Sequence, residues 1–334
     1  MGNQAGGPAV SALAPLHIAV LMGGPAHERE VSLMSGKAVA DALEERGHRV
    51  TRIDLDRDVA ANIAAAAPDI VFNALHGVPG EDGSVQGMLD LMGVPYTHSG
   101  MVTSVIAIDK QLTKQALAPH GVPMPGGRVV SCEELHERDP LQRPFVLKPV
   151  NEGSSVGVAI VTEGGEYGQP IGRDEAGPWQ DFDHLLAEPF IAGREMTTAV
   201  IDTKDGPRAL GVTELVIENG WYDYEHKYTE GQTRHVCPAD VPANIAALCE
   251  DYALRAHLAL GCSGISRTDF RWDDAQGEDG LFVLETNTQP GMTALSLAPE
   301  QAAAAGIGFG DLLEGIVAAG LRRAQQREGG GHGQ

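Results

Sequence analysis

The first part of the chain alternates short apolar runs with segments of helical period. The run His17–Met22 ends at Gly23, and apolar residues then recur at helical spacing over 31–45. Further strands are predicted at 50–55, 70–75 and 94–96, with helices at 58–67 and 84–92 between them. Because neighbouring parallel strands need a connection as long as a helix, this alternation predicts a parallel sheet covered by helices up to residue 98.

The pattern changes after residue 98. A helix is predicted over 104–120, followed by strands at 145–149, 158–161, 185–191, 197–201, 209–217, 264–272 and 281–285. The stretch 164–181 contains Gly, Pro and acidic residues without a period, which predicts a surface loop. An amphipathic helix over 245–260 and a last helix over 312–326 complete a mixed α/β chain.

Composition argues against several classes of protein. The 24 Lys and Arg residues against 46 Asp and Glu give a formal charge of -22, whereas nucleic-acid binding depends on clustered cations. There is no signal-peptide pattern, and no run approaches the roughly 18 apolar residues of a membrane span. Cys132, Cys237, Cys249 and Cys262 lack the spacing of a zinc site or a disulfide framework. We therefore expect a soluble, cytoplasmic protein that binds neither nucleic acid nor membrane.

Two of the later strands carry charged residues inside apolar runs. Arg267 and Asp269 share one face of the first strand, and Glu285 and Asn287 share one face of the second, because side chains alternate along a strand. If the strands pair, three oxygen donors converge beside one guanidinium. Such a set suits Mg²⁺ completed by water and phosphate. A plain arginine–carboxylate pair is the simpler alternative.

Lys148 ends a predicted strand and precedes a loop rich in glycine and serine, 152–157. Glycine and serine let backbone N–H groups approach phosphate oxygens, and the lysine adds a positive charge. The loop is not a Walker A motif, since GxxxxGK(S/T) occurs nowhere in the chain. An ordinary hairpin turn would explain the same residues.

Glu188 and Glu195 bracket an apolar linker at 189–193. The two carboxylates could hold an adenine edge and a ribose diol. A solvated linker is the simpler alternative, because isolated carboxylates are usually exposed.

Five motifs occur together and in order. They are GGPAHEREVS at 23–32, ALHG at 74–77 with GEDG at 80–83, KPVNEGSSVG at 148–157, YDYEHKY at 222–228 and ETNTQPGMT at 285–293. On these motifs the chain resembles the D-alanine:D-alanine ligases of the ATP-grasp superfamily over nearly all of residues 17–325. The resemblance implies an ATP-grasp fold preceded by a Rossmann-like parallel-sheet domain.

The resemblance also implies an activity and a domain organisation. ATP would activate one D-alanine as D-alanyl phosphate, and a second D-alanine would attack it, giving the dipeptide for peptidoglycan precursors with release of ADP and phosphate. Two Mg²⁺ ions, or Mn²⁺, and a homodimer are implied as well. The implied organisation is a disordered leader at 1–16, an N-terminal substrate domain at 17–98, a central ATP-grasp subdomain at 99–191, a C-terminal catalytic domain at 192–326 and a disordered tail at 327–334.

Roles for single residues follow from the same resemblance. The implied catalytic residues are Glu28, Ser154, Tyr228, Arg267 and Gly291. The implied substrate contacts are Glu28, His76, Tyr222, Arg267, Ser296 and Leu297. The implied ATP contacts are Lys110, Lys148, Ser154, Ser155, Glu188, Ile191, Glu195 and Lys227. The implied metal ligands are Asp269, Glu285 and Asn287.

In this scheme Glu28 orients the ammonium group of the first D-alanine. Arg267 and the backbone N–H of Gly291 stabilise the oxyanion of the second step. Lys227 and Tyr228 favour an amine over D-lactate as the second nucleophile. Pro189 stands where relatives often carry lysine; it lacks an N–H but keeps its carbonyl, so adenine binding is expected to persist.

Three alternatives remain open. The first is a ligase of the same superfamily that uses D-lactate or D-serine. The second is a noncatalytic nucleotide-binding module, which the complete set of charged residues disfavours. The third is a dinucleotide oxidoreductase, which ranks far lower because the first glycine-rich turn lacks GxGxxG.

Overall fold

The computed structural model describes residues 13–153, 157–217 and 233–330 of the chain. Its described strands are β1 His17–Met22, β2 Arg49–Asp54, β3 Ile70–Asn73, β4 Arg128–Ser131, β5 Phe145–Pro149, β6 Ala159–Val161, β7 His184–Pro189, β8 Arg194–Thr203, β9 Gly206–Ala209, β10 Thr213–Ile217, β11 Thr233–Val236, β12 Ile265–Trp272 and β13 Leu281–Asn287. Its described helices are α1 Arg29–Glu45, α2 Val59–Ala66, α3 Ser84–Met92, α4 Met101–Ile108, α5 Lys110–Leu117, α6 Cys132–Leu135, α7 Ala243–Leu260, α8 Leu297–Ala304 and α9 Phe309–Gly330.

The N-terminal sheet has the order β2-β1-β3, and both pairings are parallel. The predicted parallel sheet is therefore confirmed. All residues of β1 and β3 are buried, as expected for parallel strands covered on both faces. The strand predicted at 94–96 is reduced to one parallel bridge between Tyr96 and Val71.

The two faces of this sheet pack against different parts of the chain. On one face, Ile18 and Val20 share a core with Leu312 and Ile316 of α9. On the other, Leu21 packs with residues of α2 and α3. The C-terminal helices thus fix the N-terminal sheet against the rest of the molecule.

A second sheet has the order β4-β7-β5-β6 and is antiparallel throughout. The predicted hairpin of β5 and β6 is confirmed. The predicted surface loop at 164–181 is wrong in part, because Ile171 and Trp179 are buried in the core of this sheet. The Trp179 indole N–H also donates to the carbonyl of Glu175 at 2.8 Å. A loop without hydrophobic periodicity can still contribute individual buried side chains to a core.

The third sheet has the order β11-β10-β8-β12-β13, with β9 paired to β8, and all its pairings are antiparallel. Helix α7 covers it, and Ile245 and Cys249 pack in one core with Phe270 of β12. The single strand predicted over 209–217 is two strands, β9 and β10. Between them Gly211 has a φ of +95°, which interrupts extended backbone.

The helix predicted over 104–120 is also divided. Asp109 has extended backbone between α4 and α5, and its carboxylate caps α5 by accepting the N–H groups of Gln111 and Leu112 at 2.9 Å. An aspartate at this position stabilises the start of a helix, because the first backbone N–H groups of a helix have no acceptor within it. The break places Lys110 at the first turn of α5. At the other end of the chain, α9 continues to Gly330, beyond the predicted helix end at 326.

Among the described residues, no helix taken alone is long and apolar enough to cross a membrane. Helices α8 and α9 satisfy that test only as a pair, and they bend by 109° at the break between them. Ala302 of α8 and Leu313 of α9 are buried in the core shared with the N-terminal sheet.

Candidate active site

Two cavities meet at a wall formed by Lys110, Glu152 and Glu285. The large cavity, of about 610 Å³, is lined by the second and third sheets and has the size of a typical ligand pocket. The small cavity, of about 100 Å³, is lined by the N-terminal segment and by the loop that follows β13. A ligand in one cavity would therefore lie next to a ligand in the other.

Strands β12 and β13 pair so that Arg267 faces Asn287 and Asp269 faces Glu285. Arg267 donates to both carboxylate oxygens of Asp269, with distances of 2.8 Å from Nε and 2.7 Å from Nη2. The hydroxyl of Thr197 donates to Asp269 Oδ1 at 2.6 Å. The strand pairing that the metal-site prediction requires and the arginine–carboxylate pair, weighed above as its alternative, therefore occur together.

The donor set at this position consists of two carboxylates and one amide, from Asp269, Glu285 and Asn287. In the described part of the chain no cluster of three His, Cys, Asp or Glu side chains could hold a metal, so the third ligand would be an amide oxygen. Asn287 Oδ1 also accepts the N–H of Gln289 at 2.7 Å, which fixes its orientation. Mg²⁺ takes oxygen ligands and uses one or two carboxylates together with substrate phosphates, so these residues fit it.

Glu188 lies in the large cavity between two lysines. Its side chain is 3% exposed, and its Oε2 atom lies 2.5 Å from Lys148 Nζ. Lys114 forms an ion pair with the other carboxylate oxygen and donates to the carbonyl of Pro125. Burial lowers the pKa of Lys114, while the neighbouring Glu188 opposes that shift. The solvated-linker alternative is thus wrong for Glu188, and Lys114 is a residue that sequence reasoning missed.

Lys110 lies where the two cavities meet. Its ammonium group donates to the carbonyl of Glu152 and lies 4.0 Å from Glu285 Oε2. Both cavities are therefore within reach of this one positive charge.

Arg271 organises the linker side of the large cavity. Its Nε donates to the carbonyl of Ile191 at 3.2 Å, and its Nη1 lies 3.4 Å from Glu195 Oε2. Its guanidinium also lies over the ring of Phe190, 5.8 Å from the centroid. Sequence reasoning missed Arg271, although strand alternation places it on the face of β12 that carries Asp269.

Glu28 lies in the small cavity at the N-terminus of α1 and is 9% exposed. A Cβ atom at Gly77 would lie 2.5 Å from Glu28 Oε2, so the approach of this carboxylate requires glycine there. Gly77 also has a φ of +64°, which glycine adopts without strain. The carboxylate is thereby held against the turn that follows His76.

His76 is buried and bonded on both sides of its ring. Nε2 lies 3.2 Å from Ser35 Oγ, and Nδ1 lies 3.3 Å from Glu81 Oε1. These contacts fix the orientation of the imidazole toward the small cavity.

The loop after β13 completes the small cavity. A Cβ atom at Gly291 would lie 2.8 Å from Ser296 Oγ and 3.9 Å from His76 Cε1, so a larger residue would displace the Ser296 side chain. Ser296 Oγ accepts the N–H of Thr293 at 2.9 Å, and Leu297 begins α8. Glycine at 291 therefore leaves its backbone close to the histidine.

The predicted residues Ser154, Ser155, Tyr222, Lys227 and Tyr228 lie outside the described residues.

Comparisons with known proteins identify the family. The family model described as D-ala D-ala ligase C-terminus matches residues 129–318, and the model described as D-ala D-ala ligase N-terminus matches residues 57–99. The D-alanine–D-alanine ligase of Erythrobacter litoralis is 70% identical over 318 residues, covering 95% of this chain and 97% of that protein. The chain belongs to the D-alanine–D-alanine ligase family. The ligase of Novosphingobium aromaticivorans is 66% identical over 312 residues, covering 93% of this chain and 98% of that protein.

Solved structures of D-alanine–D-alanine ligases share the fold. A crystal structure of the Bacillus anthracis ligase is 30% identical, has a TM-score of 0.74, and matches over 94% of this chain and 100% of that one. The same ligase complexed with ATP is 28% identical, has a TM-score of 0.73, and matches over 93% and 99% of the two chains. The predicted mixed α/β ATP-grasp fold is confirmed.

The ligase resemblance can be compared with the geometry residue by residue. Each described residue of the predicted site lines at least one of the two cavities. The small cavity has Glu28, His76, Arg267, Asn287, Gly291, Ser296 and Leu297; the large one has Lys148, Glu188, Ile191, Glu195 and Asp269; and Lys110 and Glu285 border both. The structure thus brings together residues from across the chain.

Proposed function

We propose that this chain joins two D-alanine molecules into D-alanyl-D-alanine, with conversion of ATP to ADP and phosphate, and so supplies a peptidoglycan precursor. The observation that carries the proposal is the meeting of the two cavities at Lys110 and Glu285. ATP in the large cavity would present its γ-phosphate to an amino acid in the small one. The family to which the chain belongs supports the same reaction.

The first step activates a carboxylate, which is a poor electrophile. Glu28 holds the ammonium group of the first D-alanine, and His76 lies beside its carboxylate. Lys148 and Lys110 bind the phosphates of ATP. One carboxylate oxygen attacks the γ-phosphorus, and ADP leaves. Positioning of the two reactants supplies much of the rate in phosphoryl transfer.

Asp269, Glu285 and Asn287 are the residues that would hold Mg²⁺. When bound there, the ion would neutralise charge on the transferring phosphoryl group. We propose two such ions, with Mn²⁺ as a substitute.

Glu188, Ile191 and Glu195 bind the nucleoside in this scheme. The buried carboxylate of Glu188 faces the adenine, and its contacts with Lys114 and Lys148 orient it. Glu195 accepts from the ribose hydroxyls, and the backbone of Ile191 contacts the base.

The second step forms the peptide bond. The neutral amine of the second D-alanine attacks the acyl carbon, and Ser296 and Leu297 hold its carboxylate. Arg267 and the N–H of Gly291 stabilise the oxyanion that develops; one such donor contributes about 2.7–4 kcal/mol. The bidentate pairing with Asp269 sets the direction of the Arg267 guanidinium. Collapse of the adduct expels phosphate.

Further parts of the proposal rest on the family alone. Ser154, Ser155, Tyr222, Lys227 and Tyr228 would complete the binding of phosphate and substrate. We also propose the three domain ranges 17–98, 99–191 and 192–326, a homodimer and a cytoplasmic location. The tail predicted to be disordered from residue 327 is wrong in part, because helix α9 continues to Gly330, and the leader predicted to be disordered up to residue 16 is wrong in part, because Leu13 and Leu16 pack against the core.

The test is phosphate release from ATP on addition of D-alanine, with L-alanine as the control and chromatographic detection of the dipeptide. We expect release that depends on D-alanine and matches dipeptide formation. Competition with D-lactate and D-serine across pH identifies the second substrate. Release that is equal with L-alanine, or occurs without dipeptide, would overturn the proposal.

A further inference from the structure

Gln289 is a buried side chain in the loop that follows β13. It is 2% exposed and lies between Asn287 and Gly291, two residues from each. Its own N–H donates to Asn287 Oδ1 at 2.7 Å. The position of Gln289 therefore affects both the predicted metal ligand before it and the predicted oxyanion donor after it.

The side chain of Gln289 is bonded by the N-terminal sheet. Its Oε1 accepts from Asn73 Nδ2 at 2.8 Å, and its Nε2 donates to the carbonyl of Leu75. Asn73 is 1% exposed and ends β3; its Oδ1 accepts the N–H of Leu75 at 3.2 Å, and its Nδ2 also donates to the carbonyl of Gly80 at 3.0 Å. Both amides are thus buried and bonded across two distant parts of the chain.

A second contact ties the same loop to the N-terminal segment. Ser35 Oγ accepts the N–H of Met292 at 3.3 Å and lies 3.2 Å from His76 Nε2. The loop is therefore fixed on both sides of Gly291, by Gln289 before it and by Met292 after it. The donors of the second step are in this way held against the residues that bind the first substrate.

Amide hydrogen bonds are directional, whereas apolar contacts are not. A buried glutamine needs partners for both its oxygen and its nitrogen, and here those partners lie on one short segment, 73–75. An apolar residue of the same size could fill the space without fixing the register between loop and sheet.

We propose that Asn73 and Gln289 are positioning residues that align the Asn287–Met292 loop with the first D-alanine site, so that D-alanyl phosphate meets the second amine before it meets water. The inference rests on the proposed function. In the competing reaction, water oxygen attacks the acyl carbon, the bond from that carbon to the phosphate oxygen breaks, and D-alanine and phosphate are released. Each such event consumes ATP without forming dipeptide.

The experiment measures phosphate released per dipeptide formed, for Gln289→Met and Asn73→Leu. Wild-type enzyme is expected to give a ratio of about one, and each variant a ratio of about two or more, with dipeptide kcat about tenfold lower, since small misplacements in an active site are costly. The Kd for ATP should stay within about twofold, because neither residue lines the large cavity. The double variant should release no more phosphate per dipeptide than the single variant with the higher ratio, as expected for partners in one contact.

Gln86→Met is the matched control. Gln86 is 1% exposed, and its Nε2 donates to the carbonyl of Gly80 at 2.7 Å, the same acceptor that Asn73 uses. Its loss removes a buried amide contact from the N-terminal segment and leaves the bond to Gln289 in place. We expect a lower Tm for this variant, with about one phosphate still released per dipeptide formed.

The ratio of the two products does not depend on how much of a preparation is folded, because unfolded chains form neither. Asn73→Ser serves as a milder variant where Asn73→Leu is poorly produced. A ratio of about one phosphate per dipeptide in wild type and in the Gln289 and Asn73 variants alike would overturn this inference alone. So would a ratio that Gln86→Met raises as much as those variants do. Wild-type enzyme that makes no dipeptide would overturn the proposed function and this inference with it.

Discussion

Asp269 and Glu285 face each other on the antiparallel strands β12 and β13. Arg267 and Thr197 bind the Asp269 carboxylate, and Lys110 lies 4.0 Å from Glu285. Opposed carboxylates repel one another, so cationic partners stabilise the pair. The same arrangement presents oxygen donors at the point where the two cavities meet.

Glu285→Gln tests the metal site. The substitution removes a charged ligand and keeps the shape of the side chain, so we expect turnover to fall about 100-fold or more and the Mg²⁺ concentration for half-maximal activity to rise. Titration of activity with Mg²⁺ measures both. Glu278→Gln, at an exposed carboxylate on the turn before β13, is the control. An unchanged Mg²⁺ requirement in Glu285→Gln would exclude the assigned role.

Arg267→Ala tests the oxyanion site. We expect kcat to fall about 100- to 1000-fold while ATP binding is largely kept, because the guanidinium lines the small cavity and acts on charge that develops in the second step. Steady-state kinetics and nucleotide binding measured by calorimetry separate the two effects. Arg208→Ala, at an exposed arginine of β9, should behave as wild type. Normal turnover in Arg267→Ala would refute the role.

Arg271→Met should change KM for ATP rather than kcat, the opposite of Arg267→Ala. Loss of its bonds to Ile191 and Glu195 loosens the linker, so we expect KM for ATP to rise about tenfold, or about 1.4 kcal/mol, with kcat near normal. Kinetics with ATP varied at saturating D-alanine test this, with Arg255→Ala as a surface control. A raised KM for D-alanine and an unchanged KM for ATP would contradict it.

Glu314→Gln tests a buried ion pair far from the site. Glu314 is 1% exposed and bonds Arg46 at 2.6 Å and His48 at 3.2 Å. Burial acts to raise the pKa of Glu314, but the bonds to Arg46 and His48 outweigh it and hold the pKa below its usual range. Because the pKa is lower in the folded state, the stabilisation is present above the unfolded pKa and is lost as pH falls through the folded value.

We therefore expect Glu314→Gln to lower the free energy of unfolding by about 1–2 kcal/mol at pH 7, with the difference from wild type shrinking below about pH 4. Urea unfolding at a series of pH values measures this. A difference that is constant across pH, or that grows in acid, would show that the carboxylate charge is not responsible.

Sequence alone determined the features that depend on local periodicity. The parallel N-terminal sheet follows from the alternation of apolar runs with helical segments. The common face of Arg267 and Asp269, and that of Glu285 and Asn287, follows from the two-residue repeat of a strand. The chemistry of these residue types then pointed to phosphate and a divalent ion before any contact was known.

Only the tertiary structure decided which residues from distant segments meet. The break at Asp109, the burial of Trp179 and the position of Lys114 beside Glu188 were not predicted from the sequence. Strand alternation placed Arg271 on the face of Asp269, but its contacts with the linker came only from the structure. The bond between Asn73 and Gln289 spans 216 residues of chain. Such contacts depend on how distant strands, helices and loops pack together, and packing is set by the summed burial of many side chains rather than by the spacing of a few.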